Sequence, residues 1–118
     1  MDHEPAPSGR ERRQHERFEL HVEIALRHHE ETETLSVLNI SAGGILLRND
    51  RNVAFSIGEQ ISVRFDVPEL AQPFTIDARV IRVVRPTARP AALAAMWTSA
   101  DATASAALAQ LLWSLSNH

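Results

Sequence analysis

The chain contains no cysteine, so disulfides and thiolate-held metal ions are both excluded. It also contains no lysine. All 12 basic residues are arginine, so their positions along the chain are more informative than their number. No apolar run approaches the ~18 residues that a membrane-spanning helix needs. The polar N-terminal stretch has no apolar segment of the secretory type. A cytoplasmic protein with no membrane partner is the expectation. The formal net charge of -3 is the wrong sign for a dedicated duplex-DNA binder, whose affinity rests on cations facing phosphate, so no DNA partner is expected. Phosphate-binding loops and dinucleotide-binding glycine patterns are also missing. Ser41 has no histidine or carboxylate placed by the sequence to activate it, and no enzyme is expected.

What is present fits one domain of 118 residues, long enough to bury a core. Residues 1–17, "MDHEPAPSGRERRQHER", hold almost nothing to bury, and their prolines, glycine and dense charge predict a mobile arm. Residues 1–9 are assigned to that disordered arm and 10–118 to the domain. From Phe18 the pattern changes. Phe18, Leu20, Val22, Ile24 and Leu26 alternate with polar or small residues, as in a strand with one buried face. "HHEETE" at 28–33 reads as a solvated turn. Further strands follow at 34–40, 44–50, 61–67, 74–84 and 92–99. The alternation in 74–84 slips near Val80–Ile81, which predicts a bulge. In the last segment Ala104, Leu108, Leu111, Leu112 and Leu115 recur at helical spacing, with Asp101 or Ser99 available as the cap. Six short strands at about 17–99 and one helix at about 101–116 predict an all-β, six-stranded antiparallel barrel with a C-terminal α-helix.

Two stretches carry chemistry. In "RRQHERFEL", residues 12–20, Arg13 and Arg17 stand four apart just before the first strand. A guanidinium is planar, permanently charged, and matches both a phosphate oxygen pair and the O6/N7 edge of guanine. A solvated basic arm explains the same spacing. In "NISAGG", residues 39–44, Asn39 and Ser41 face one side of a strand, and Gly43 and Gly44 permit a sharp turn or a close approach. A plain hairpin turn explains that stretch too.

Together and in this order, Arg-x-x-x-Arg at 13–17 and Asn-x-Ser-x-x-Gly at 39–44 resemble the paired motif of the PilZ domain family, whose members are typically receptors for cyclic di-GMP. The resemblance runs from about residue 10 to the end and includes the barrel and helix. It implies that Arg13 and Arg17 grip the phosphates and guanine edges, with Arg12 extending the cationic arm. Asn39 and Ser41 would hydrogen-bond the ligand. Gly43 and Gly44 belong to the same loop, with Gly44 keeping the backbone low enough for a base to lie on it. Arg82 matches the position on the fifth strand from which a family residue stacks on guanine. The implied ligand is cyclic di-GMP, with no further cofactor. The pattern departs from the family's in two places: the last strand reads "ALAAMW" where glycines are common, and Asn39 stands where aspartate is the more frequent residue.

Two other features remain. His15, His21, His28 and His29 cluster along the chain, but His28 and His29 point to opposite faces if extended, so no metal site is expected. Trp113 lies roughly 140° around the helix from the apolar stripe, on a helix whose only charge is Asp101. That predicts a contact surface for a protein partner or for a second copy; a tryptophan folded over a barrel edge is the alternative.

Overall fold

The computed structural model describes residues 17–84, 91–99 and 101–116. The expected arm at 1–9, together with Arg12 and Arg13, lies outside the described residues.

Among the described residues, seven strands precede one helix: β1 (Arg17–Phe18), β2 (Glu23–His28), β3 (Glu31–Ser41), β4 (Gly44–Arg48), β5 (Gln60–Phe65), β6 (Phe74–Val84), β7 (Ala92–Trp97) and α1 (Ala102–Ser116). The sheet runs β1-β3-β2-β5-β6-β7-β4, and β4 pairs again with β3. Six strands, β2 to β7, therefore close on themselves, and β1 is an extra strand on the edge of β3. The expected all-β antiparallel barrel with a C-terminal helix is the fold observed.

The expected first strand is broken in two. Phe18 pairs with Ile40 and Glu23 with Ser36, so five steps along the first segment face four along β3. The extra residue is taken up by a tight turn in which Val22 N–H donates to the Leu20 carbonyl at 2.9 Å. Leu20 stays buried and Val22 half-buried, which is why alternation alone gives no sign of the break. The turn expected over 28–33 is also shorter than predicted. His28 pairs with Glu31, leaving only His29 and Glu30 at the corner, with φ of 49° and 71°. Positive φ at both central residues is the hairpin geometry that matches strand twist, here without glycine.

Alternate residues of the six barrel strands fill the interior. Leu26, Ile40, Leu47, Val63, Phe65, Val80 and Leu93 are fully buried. Phe65 stacks on Phe74 at 5.0 Å. The alanines of β7 have a packing role: Ala92 and Ala95 are buried between strands that approach closely. Helix α1 packs against β6 and β1 and adds Ala104, Leu108 and Leu111 to the core. Asp101 is its cap, Oδ1 accepting from Thr103 N–H at 2.9 Å, while Ser99 Oγ accepts from Asp101 N–H at 3.1 Å. Trp113 is 69% exposed, off the packing face as expected. Among the described residues no helix is long and apolar enough to cross a membrane.

Because Leu111 joins helix to barrel with no exposed surface, Leu111→Ala is expected to cost about 2–5 kcal/mol in a urea titration. Asp101→Ala should cost about 1 kcal/mol.

Candidate functional site

Paired residues on neighbouring strands point to the same side of a sheet, so register determines which side chains share the outer surface. Asn39 pairs with Leu46, Leu46 with Ala94, and Ala94 with Arg82. These four side chains form one outward row across β3, β4, β7 and β6. At about 4.8 Å per strand the row spans about 14 Å. The next row holds Gly44, Met96 and Arg79. Ser41, in turn, faces Arg17 on β1. The surface is thus a low floor of Leu46, Ala94, Gly44 and Met96. Asn39 and Arg17 border one side and Arg79 and Arg82 the other.

Two bulges create this arrangement. The register of β3 against β4 shifts between Val37 and Asn39, and that of β6 against β7 shifts between Val80 and Arg82. The first bulge lets Val37 and Ile40 both point inward although three residues apart, and turns Asn39 out. The second is the bulge predicted near Val80–Ile81. It brings Arg79 and Arg82, also three apart, to the same outer face. An open groove of about 420 Å³ lies at the first bulge, lined among others by Ser36, Val37, Leu38, Arg48 and His21.

The turn after β3 is held from below. Ser41 is 9% exposed, and its Oγ accepts from the N–H groups of Gly43 and Gly44 at 3.1 and 3.3 Å. Trp97 Nε1–H donates to the Ser41 carbonyl at 2.9 Å, and Trp97 N–H donates to the Gly43 carbonyl at 3.1 Å. The indole meets Phe65 edge-on at 6.1 Å, which ties the turn to the core. Ser41 thus has its acceptor capacity engaged within the turn, and the structure gives it a shaping part that its motif position alone did not suggest. Gly44 also has a reason unrelated to a ligand. A Cβ there would overlap the carbonyl oxygen of Ala95 on β7. The close approach that requires glycine is that of a neighbouring strand.

Of the residues singled out from the sequence, Arg17, Asn39, Ser41, Gly43, Gly44 and Arg82 fall on or beside one face. Trp113 belongs to α1, apart from this set. Arg79, Leu46, Ala94 and Met96 were not singled out. Their only sequence signal was strand alternation, which does not say which strands will be neighbours. The histidine reading needs correction: His28 and His29 do not diverge, because the turn at His29 brings both rings to Glu59.

A closed six-stranded antiparallel barrel with one added strand, a C-terminal helix and an arginine-bordered outer face places the chain among small all-β barrel domains. The PilZ domain family model matches residues 11–113, and the chain belongs to that family. The chain matches none of the curated proteins. Among solved structures it is similar to the Bacillus subtilis inhibitor of motility MotI/DgrA, with 23% identity and a TM-score of 0.69, covering 90% of this chain and 51% of that one. It thus spans about half the length of that protein. It is also similar to the PilZ domain of Escherichia coli YcgR with c-di-GMP, at 15% identity and TM-score 0.69, covering 90% and 92% of the two chains. The PilZ domain of CeSA from a cellulose-synthesizing bacterium gives 16% identity and TM-score 0.68, covering 86% and 98%.

If Gly44 answers to β7, Gly44→Ala should lower stability by about 1–3 kcal/mol before any ligand is added. Asn39→Ala, on the outer face, should stay within about 0.5 kcal/mol of the parent. Chemical denaturation of both variants measures the contrast, and a Gly44→Ala protein as stable as the parent would contradict the packing account.

Proposed function

We propose that this PilZ domain is a receptor for cyclic di-GMP and that the ligand lies across the outer face of β3, β4, β7 and β6. The observation that carries this reading is the register that puts Asn39 and Arg82 at the two ends of one low apolar row, with Arg17 beside it at Ser41. Family membership supports it, as does the fold shared with a PilZ domain described with c-di-GMP.

The chemistry suits each end of such a ligand. Cyclic di-GMP carries two phosphates and two guanines. Arg17, with Arg12 and Arg13 just before it in sequence, supplies paired donors for phosphate oxygens and for the guanine O6/N7 edge. Asn39 offers both a donor and an acceptor to a base edge. Leu46 and Ala94 leave a flat space for a purine, and the Arg82 guanidinium can stack on its face. Ser41, Gly43 and Gly44 hold the turn that presents Asn39. Binding draws Arg12 and Arg13 across the ligand, and that change is the signal. The receptor acts without catalysis and without a cofactor, in the cytoplasm.

The same proposal assigns the relay to α1, which has no charged residue and leaves Trp113 69% exposed. A surface of this kind suits a protein partner or a second copy. Motility is one process such a receptor would serve, as the likeness to an inhibitor of motility suggests; biofilm formation is another.

Calorimetric titration with cyclic di-GMP is the test. Saturable binding is expected, with Arg13→Ala and Arg17→Ala each reducing affinity at least ~10-fold and Arg82→Ala reducing it less, in keeping with lost charged hydrogen bonds and lost stacking respectively. A folded parent protein that gives no heat at millimolar ligand would sink the receptor reading. The domain would then be treated as a protein adaptor acting through α1. Trp113→Ala should leave nucleotide affinity unchanged.

A further inference from the structure

A cluster of side chains away from this face is left unused by nucleotide binding. His28 Nδ1 lies 2.9 Å from Glu59 Oε2, and His29 Nε2 lies 3.1 Å from the same oxygen. His28 and Glu59 are 6% and 7% exposed, whereas His29 is 73% exposed. We propose that His28, His29 and Glu59 form a three-ligand site for a borderline divalent transition-metal ion of the Zn²⁺ type, with the fourth position open to water.

The distances support a metal. With bonds of about 2.0–2.1 Å, two ligands of a tetrahedral zinc ion stand about 3.3 Å apart. Both histidine–glutamate separations are within a few tenths of an ångström of that, and the three ligand atoms all lie within 4.8 Å of one another. Two imidazoles and one carboxylate form a donor set typical of open, three-ligand zinc sites.

The surroundings prepare the donors. Glu59 Oε1 accepts from Ser56 N–H at 2.9 Å, which fixes the carboxylate so that Oε2 faces the histidines. The Phe55 ring packs on His28 at 4.6 Å and limits its rotation. His29 sits at φ 49°, in the left-handed region that histidine tolerates better than most non-glycine residues, and from there its ring reaches the same oxygen. His28 Nε2 is buried and has no hydrogen-bond partner. A metal on Nδ1 places the ring proton on Nε2. The Glu31 and Glu33 carboxylates also stand within 4.8 Å of a ring nitrogen of His28. With Glu30, these carboxylates also make the end of the barrel negative, which favours a cation.

The site would join the β2–β3 corner to the start of β5, positions about thirty residues apart. A metal there binds the folded chain in preference to the unfolded one, so it raises thermal stability. This inference does not depend on the nucleotide reading.

Tag-free protein, stripped with chelator, should be titrated with ZnCl₂ by calorimetry while thermal unfolding is followed in parallel. One saturable site is expected, with a rise in Tm that chelator reverses. Co²⁺ in place of Zn²⁺ should give the strong visible bands of four-coordinate cobalt. His29→Ala, at an exposed corner, should weaken Zn²⁺ binding at least ~10-fold while the metal-free protein stays folded. Glu59→Gln should do the same if it folds, and His15→Ala and His21→Ala should bind as the parent does. The proposal is overturned if the parent shows neither heat nor a Tm shift, or if full-affinity binding survives His29→Ala, which would put the ion on other residues.

Discussion

Everything in this domain depends on β3 being paired along both edges. Its first half pairs with β2, its second half with β4, and its last two residues with β1. A strand so placed closes the barrel, and it must bend to do so. The bend falls at the bulge between Val37 and Asn39, where an added residue increases local twist. Were the strand to run through Leu38 in regular alternation without the bulge, Asn39 would turn toward the interior and Ile40 outward, since a one-residue slip reverses every later side chain. Closure of the core and exposure of Asn39 are therefore one geometric fact.

The opposite wall repeats the solution. On β6 the bulge between Val80 and Arg82 keeps Val80 in the core and still turns Arg82 to the outside. Backbone bonds on the other edge of β6 hold this point. Gly58 N–H donates to the Val80 carbonyl at 2.7 Å, and Val80 N–H donates to the Glu59 carbonyl at 2.9 Å. Glu59 therefore serves the barrel with its backbone and the histidine cluster with its side chain. Between the two bulges, the Ser41–Gly44 turn is tied to Trp97 and through it to Phe65, so the outer face rests on the aromatic part of the core.

The legibility of each feature follows its physical origin. The helix was readable because Ala104, Leu108 and Leu111 meet a single surface at a fixed period. The strands were readable because one face of each is buried. The break between β1 and β2 was not, because Leu20 and Val22 keep their apolar pattern across it, and only comparison with β3 exposes the unequal count. The "SAGG" turn was visible as a turn. That the Ser41 carbonyl is held by Trp97, and that Gly44 yields space to Ala95, depends on β7, about fifty residues further along. Glu59 gave no sign of being a partner for His28 and His29, since nothing in a linear order of residues reports a meeting across thirty positions.

By itself the sequence determined the local grammar of this protein: which segments are strands, where the helix begins, and that an arginine pair precedes an Asn-x-Ser turn. These follow from short-range periodicity and from the intrinsic chemistry of side chains. Tertiary structure alone decided which strands became neighbours, and so which residues share a face. Register across a closed barrel is set by the total of strand twist, bulges and core packing, and no segment carries that information on its own. Arg82 reaches the row of Asn39, and two histidines reach one buried carboxylate, because the barrel closes with that register.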